Sequence, residues 1–237
     1  MNRMVAVQSI LDTLKDATYL EIGVNEGKSF RPIRARQKWG VDPSYKIPWH
    51  RLLKLAVSSG LGITAYRLFR MTSDAFFETQ KEMIVASGID ACFVDGLHTY
   101  EQSLRDVLNA LQYLKPNGVI LVHDCNPTTK LMALPAANFE AMKHANTADW
   151  DGAWCGDVWK AIVHLRSVRD DLNVFVLDCD FGIGVISRGR ATNRLSYSEA
   201  DIRAMDYDAL ASRRKELLDL RSPEFLGEFL RERGAQA

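Results

Sequence analysis

The stretch from Ala17 to Phe30, ATYLEIGVNEGKSF, constrains the fold most. Tyr19, Leu20, Ile22 and Val24 form a short, nearly continuous apolar run, the kind a parallel strand needs when both its faces are covered. Gly23 and Gly27 punctuate it. A glycine at a strand end lets the backbone turn sharply, and a second one four residues on lets a ligand approach the next helix with no Cβ in the way. The expectation is a buried first strand that breaks through a glycine turn into a helix and serves a nucleotide-like ligand.

The dinucleotide fingerprint G-x-G-x-x-G is absent, since the pattern here is Glu21-x-Gly23-x-x-x-Gly27. Glu21 and Glu26 place negative charge where a pyrophosphate would lie, which disfavours an anion and favours a cationic ligand. S-adenosylmethionine, with its sulfonium and ammonium, is such a ligand. Asp42, 19 residues after Gly23 and just before Pro43, stands at about the ~20-residue spacing of an acid that accepts hydrogen bonds from ribose hydroxyls. A plain turn aspartate is the competing reading.

With 237 residues and 47% of them hydrophobic, the chain is expected to form one α/β domain with a full core. Lysine plus arginine equals aspartate plus glutamate, 30 each. No general field therefore draws the protein to nucleic acid or to an anionic membrane, and a small-molecule partner is expected. Cys92, Cys125, Cys155 and Cys179 are 33, 30 and 24 residues apart, with no C-x-x-C pair to suggest zinc or a redox centre. Together with an N-terminus unlike a signal peptide and no long apolar span, they point to reduced thiols in a cytoplasm.

Along the chain, the periodicity predicts a helix over Val5 to Leu14, a strand over Lys38 to Val41, and a loop then a helix over Ser44 to Gly60. A strand over Ile63 to Met71 comes next, followed by a helix over Phe76 to Ser87 capped by Ser73 or Asp74. Ile89 to Val94 reads as a strand followed by Asp95-Gly96-Leu97-His98-Thr99-Tyr100. An amphipathic helix over Glu101 to Leu114 follows, then a Lys115-Pro116-Asn117-Gly118 turn, a strand over Val119 to Val122, and His123-Asp124. Asn117 is expected to tolerate a left-handed conformation. Residues 127–156 are expected to be a lid on the substrate side, with a short helix over Phe139 to His144. A helix opening at Trp154 to Lys160, capped by Gly156 or Asp157, precedes strands Asn173 to Leu177 and Gly184 to Ser187. The short connection makes these two antiparallel.

Glu21-x-Gly23-x-x-x-Gly27 resembles motif I of the class I S-adenosylmethionine-dependent methyltransferases, and D-G-x-H-x-Y, helix, K-P-x-G, strand, H-D resembles a region of many small-molecule members. The resemblance covers roughly residues 15 to 188. It implies a Rossmann-like, doubly wound, mostly parallel seven-stranded sheet with an antiparallel last strand and helices on both faces. It implies a methyltransferase domain over 1–190, leaving 191–237 as a helical C-terminal appendage packed on the domain or on a second subunit in a homo-oligomer. The cofactor would be held by Glu21, Gly23, Gly27, Asp42, Ser73, Asp74 and Asp95, at the carboxyl ends of successive strands. An acceptor hydroxyl would be methylated, with His98, His123 or Lys160 as candidate bases. Some relatives hold Mg2+ after strands four and five. Asp95 and Asp124 match the first two ligand positions here, but Cys125, a soft thiol, stands in the third, so either Asp157 or Asn126 replaces it as ligand or no metal is bound. The alternatives are a nicotinamide-dependent oxidoreductase or epimerase, or a non-catalytic cofactor-fold module.

Overall fold

The computed structural model describes residues 1–60, 65–144, 150 and 152–234. Ile63 and Thr64 of the expected third strand lie outside the described residues, as do residues 145–149 and 151 of the expected lid and 235–237 of the tail. The described residues form a mixed α/β sheet of eight strands in the order β3-β2-β1-β4-β5-β7-β6-β8. The expected count was seven; the eighth is a two-residue strand in the C-terminal tail. The chain divides into two compact units, Asn2–Gly96 with Asp106–Leu121 and Leu230–Ala237, and Met1 with Leu97–Arg105 and Val122–Phe229. They are called the N-terminal and C-terminal units below.

In the N-terminal unit, β1 (Thr18–Ile22) pairs in parallel with β2 (Gln37–Val41) on one side and β4 (Ile89–Val94) on the other, and β2 pairs in parallel with β3 (Ala65–Phe69). Every residue of β1 and β4 is buried, as the continuous apolar runs require. Burying Leu20 or Ile22 contributes about 1.5–3 kcal/mol each. Helix α1 (Arg3–Leu11) starts where the Asn2 side chain accepts from the N–H of Val5, and it packs Ala6, Val7, Ile10 and Leu11 inward. Val5, counted inward from the sequence, faces solvent at 49% exposure.

The helix expected after the glycine turn does not form: residues 23–36 are a succession of turns. Pro32 lacks the N–H a helix interior needs. The carbonyls are satisfied in another way. Lys38, on β2 and 1% exposed, donates from Nζ to the carbonyls of Phe30 at 2.5 Å, Ile33 at 2.8 Å and Arg31 at 3.4 Å. Buried carbonyls require partners, and one ammonium supplies three.

Helix α2 is Trp49–Gly60. The single helix expected over Phe76 to Ser87 is two, α3 (Ser73–Thr79) and α4 (Lys81–Ser87), broken at Gln80. The cap of α3 is Thr72, whose hydroxyl accepts from Ala75 N, and not Ser73 or Asp74. Helix α5 is Tyr100–Tyr113, and the expected Lys-Pro-Asn-Gly turn is extended backbone that already belongs to β5 (Leu114–Val122). Asn117 is not left-handed, so the argument from its tolerance of that region falls away.

In the C-terminal unit, α6 (Phe139–His144) is the short helix expected within 127–156. Helix α7 (Trp159–Val168) begins at Val158 without a side-chain cap, so neither Gly156 nor Asp157 caps it. Helix α7 packs on β6 (Leu172–Leu177), which forms the expected antiparallel hairpin with β7 (Ile183–Arg188). Asp180, Phe181 and Gly182 all have positive φ in that turn. The tail forms α8 (Glu199–Ala204), α9 (Tyr207–Leu218), β8 (Leu220–Arg221) and α10 (Phe225–Gly234). Up to Phe229 it belongs to this unit. Strand β8 pairs in parallel with β6, Phe225 and Phe229 both pack on Phe175, and the Arg166 guanidinium donates to the carbonyls of Asn193, Glu216 and Leu217.

Candidate active site

In the N-terminal unit, the carboxyl ends of β1, β2, β3 and β4 lead into Gly23, Asp42, Ser73 and Asp95. Open α/β sheets bind ligands at these ends. Gly23 has φ +91°, and a Cβ there would come 1.9 Å from the carbonyl oxygen of Asp95. Its glycine is therefore demanded by the meeting of two backbones, whatever ligand lies beyond. Gly27, at φ +68°, leaves 3.1 Å to Ile47 for a Cβ.

The carboxylate of Asp42 is fixed from both sides: Oδ2 accepts from Asn25 N and Oδ1 from Ser44 N, each at 2.7 Å. Asn25 adopts φ +45°, in the region asparagine tolerates. Two backbone N–H groups leave further lone pairs on each oxygen.

Glu21 is fully buried. Its oxygens accept from Tyr19 Oη at 2.5 Å and Ser29 Oγ at 2.6 Å, and burial raises its pKa to about 7 against those two hydrogen bonds. It braces the turn from beneath and touches no solvent. Ser73, 8% exposed, donates from Oγ to Oδ1 of Asp106 at 2.6 Å, while Asp74 lies in the first turn of α3. Asp95 pairs with Arg3 at 3.1 Å. Sequence reading missed Arg3, Tyr19 and Asp106. A residue acting from under a site carries no motif, and only the alternation of β1, which puts Tyr19 and Glu21 on one face, hints at their pairing.

In the C-terminal unit, Asp124 sits at φ +61° and its Oδ2 lies 2.9 Å from His123 Nδ1 and 3.4 Å from His98 Nδ1. His98 Nδ1 is also 2.8 Å from the carbonyl oxygen of Trp154, with the two rings stacked at 5.1 Å. A carbonyl only accepts, so Nδ1 carries a proton and the lone pair of the neutral ring is on Nε2. Gly156, at φ +61°, makes this possible: a Cβ there would stand 1.8 Å from the His98 carbonyl oxygen. The side chain of His98 is 22% exposed and that of His123 3%.

The remaining candidates are committed elsewhere. Lys160 donates to the carbonyl of Arg203 at 3.0 Å and lies 3.8 Å from Asp157. Asp157 accepts from the N–H of Tyr100 at 2.7 Å, at the start of α5, and burial raises its pKa. The Cys125 thiol is buried, donates to the carbonyl of Val122 at 3.3 Å and is held neutral by desolvation. Asn126 donates to Asp178 at 2.9 Å, and its Oδ1 accepts from the guanidinium of Arg214.

A mostly parallel sheet with an acid inside β1, acids directly after β2 and β4, and a reversed hairpin strand has the fold of the class I S-adenosylmethionine-dependent methyltransferases, which this chain resembles. Residues 20–125, from β1 to just past β5, match the family model of a methyltransferase domain. Among solved structures, the chain is similar to an S-adenosylhomocysteine-bound methyltransferase from Podospora anserina, at 20% identity and a TM-score of 0.50, over 78% of this chain and 76% of that one. It is similar also to the O-methyltransferase TomG from Streptomyces achromogenes, solved with S-adenosylmethionine and involved in tomaymycin synthesis. There the identity is 14% and the TM-score 0.50, over 77% of this chain and 78% of that one. At these identities the likeness is one of fold. No curated protein matches the chain.

Proposed function

We propose that the protein transfers a methyl group from S-adenosylmethionine to a hydroxyl of a small-molecule acceptor. The observation that carries the reading is the pairing of His98 with Asp124, 3.4 Å apart, with Nδ1 of the histidine pinned to the Trp154 carbonyl. That arrangement suits a base that takes a hydroxyl proton on Nε2 and is stabilised as an imidazolium by the carboxylate. His98 is the better exposed of the two histidines, so it takes the proton and His123 helps hold Asp124. Lys160, tied to the Arg203 carbonyl, serves the packing of α7.

S-adenosylmethionine supplies the methyl group on a sulfonium, an excellent leaving group, so positioning does most of the remaining work. Asp42, with lone pairs left on both oxygens, accepts from the ribose hydroxyls. Gly23 and Gly27 shape the turn beside the cofactor, and Glu21 braces that turn through Ser29. Ser73, Asp74 and Asp95 complete the set at the neighbouring strand ends.

A magnesium site fits poorly. Magnesium wants oxygen ligands in near-octahedral array. Here the oxygen of Asn126 already faces the Arg214 cation, Asp157 serves the start of α5, and the Cys125 thiol is neutral. In the C-terminal unit that leaves Asp124 beside His98, and the reaction is proposed to run on the histidine base.

The balance of 30 basic and 30 acidic residues favours a small acceptor over nucleic acid. Among the described residues, no helix is long and apolar enough to cross a membrane. Four free thiols favour a reducing cytoplasm. An oligomer through the tail finds little support, since Leu210, Leu217, Leu218, Leu226 and Phe229 are buried.

Calorimetry with S-adenosylhomocysteine and with NADH tests the cofactor: binding of the first alone is expected, and binding of NADH alone would return the chain to the oxidoreductases. Turnover against a panel of hydroxylated acceptors then tests the chemistry.

A further inference from the structure

A parallel crossover between neighbouring strands ordinarily carries a helix. Between β1 and β2 there is a 23–36 coil in its place, and the glycine turn that borders the cofactor in the reading above is its first part. Three groups hold it from the sheet. Asp42 accepts from Asn25 N at 2.7 Å, Glu21 accepts from Ser29 Oγ at 2.6 Å, and Lys38 donates to the carbonyls of Phe30, Arg31 and Ile33. The Lys38 ammonium also lies 4.5 Å from the centre of the Phe30 ring, and that ring stacks on Tyr19 at 6.5 Å.

We propose that Lys38 is a positioning residue of the cofactor site: from β2 its buried ammonium clamps the helix-less coil and so holds the Gly23 to Gly27 turn, with Asn25 in it, against Asp42. The proposal rests on the assignment of that turn to the cofactor. No pattern in the sequence marks Lys38. It is a charged residue within a five-residue strand, Gln37–Val41, where a solvated lysine at a sheet edge would be the ordinary reading. What singles it out is the conjunction of 1% exposure with three accepting carbonyls from one coil. A buried ammonium is costly unless it is hydrogen-bonded, so the contacts and the coil conformation require each other.

The ionisable groups around Lys38 are Tyr19 and Glu21 on β1, Tyr66 opposite it on β3, and Arg31 on the coil. Burial lowers the Lys38 pKa to about 8, with Glu21 opposing and Arg31 reinforcing the shift. The clamped coil therefore releases the Lys38 proton more readily than a solvated lysine does, and by linkage a rise of pH through about 8 does not disfavour the clamped arrangement.

The test is calorimetric binding of S-adenosylhomocysteine by wild type, Lys38→Met and Lys38→Arg at neutral pH. Lys38→Met is expected to bind about tenfold more weakly, the scale of losing a hydrogen-bond set to a charged group. Lys38→Arg, with donors and a charge that does not titrate, is expected to restore part of the affinity. Tryptic cleavage after Arg34 and Arg36, both exposed, reads the coil without cofactor and is expected to be about tenfold faster in Lys38→Met. Normal wild-type binding with unchanged affinity or unchanged cleavage in Lys38→Met overturns the proposal alone. Wild-type protein that binds no S-adenosylhomocysteine overturns the cofactor reading and the proposal with it. If Lys38→Met does not fold, Lys38→Gln takes its place, and the same two readouts, affinity and cleavage, decide.

Discussion

Oδ2 of Asp124 lies 2.9 Å from Nδ1 of His123, both at the end of β5. A carboxylate held this way by one histidine is kept in place for a second, His98, at 3.4 Å. His98→Ala is expected to lower turnover by about 10²-fold or more, the usual share of a positioned base. The affinity for S-adenosylhomocysteine should be unchanged. His123→Ala should cost less. Turnover that survives His98→Ala, or that collapses on adding a chelator and returns with magnesium, would refute the base assignment.

Asp42→Ala is expected to weaken S-adenosylhomocysteine binding by about 1–3 kcal/mol, the range for unpaired buried donors. The variant loses the acceptor for Asn25 N and Ser44 N as well as for the ribose. Calorimetry that finds wild-type affinity would remove Asp42 from the site.

Gly23→Ala is expected to destabilise the protein by about 2–4 kcal/mol, combining a positive φ with an overlapping Cβ. The obstacle is the Asp95 backbone at 1.9 Å, so the loss should show in thermal denaturation without any ligand. A variant that melts like wild type but binds no cofactor would mean that the turn is shaped for the ligand alone.

Glu21 gives the fold a pH dependence of its own. Its pKa is raised from 4.5 to about 7, first by burial. The folded protein then holds a proton that the unfolded chain gives up. Stability from this group is fully present below pH 4.5 and is lost as pH rises through 7. Relative to Glu21→Gln, wild type should lose up to about 3 kcal/mol across that window, at 1.36 kcal/mol per pH unit. Parallel denaturation curves for the two proteins at both ends of the window would refute this.

The strands were legible because burial wrote them as apolar runs: Ile89 to Val94 and the β6–β7 hairpin stand where the periodicity puts them. The polar strand ends were legible for a related reason, since Asp42, Asp95 and Asp124 interrupt those runs abruptly. What could not be read was anything decided by one long side chain reaching across the fold. Pro32 does not suit a helix interior, but only the three bonds of Lys38 explain how the coil survives. The same holds for the donors around Asp124. Asn126, two residues after Asp124, has its amide oxygen taken by Arg214, 88 residues further on, a contact that no local pattern marks.

Strand β8 is only Leu220–Arg221, yet it covers the outer side of β6, with Asp178 N donating to the Arg221 carbonyl at 2.8 Å. An unpaired sheet edge is a template for another chain. A protein truncated at residue 190, where the motifs of the cofactor fold have ended, would present β6 with one side bare and Phe175 stripped of Phe225 and Phe229. Such a truncated chain would be prone to aggregate through that bare edge, against which Leu220–Arg221, Phe225 and Phe229 guard the intact one.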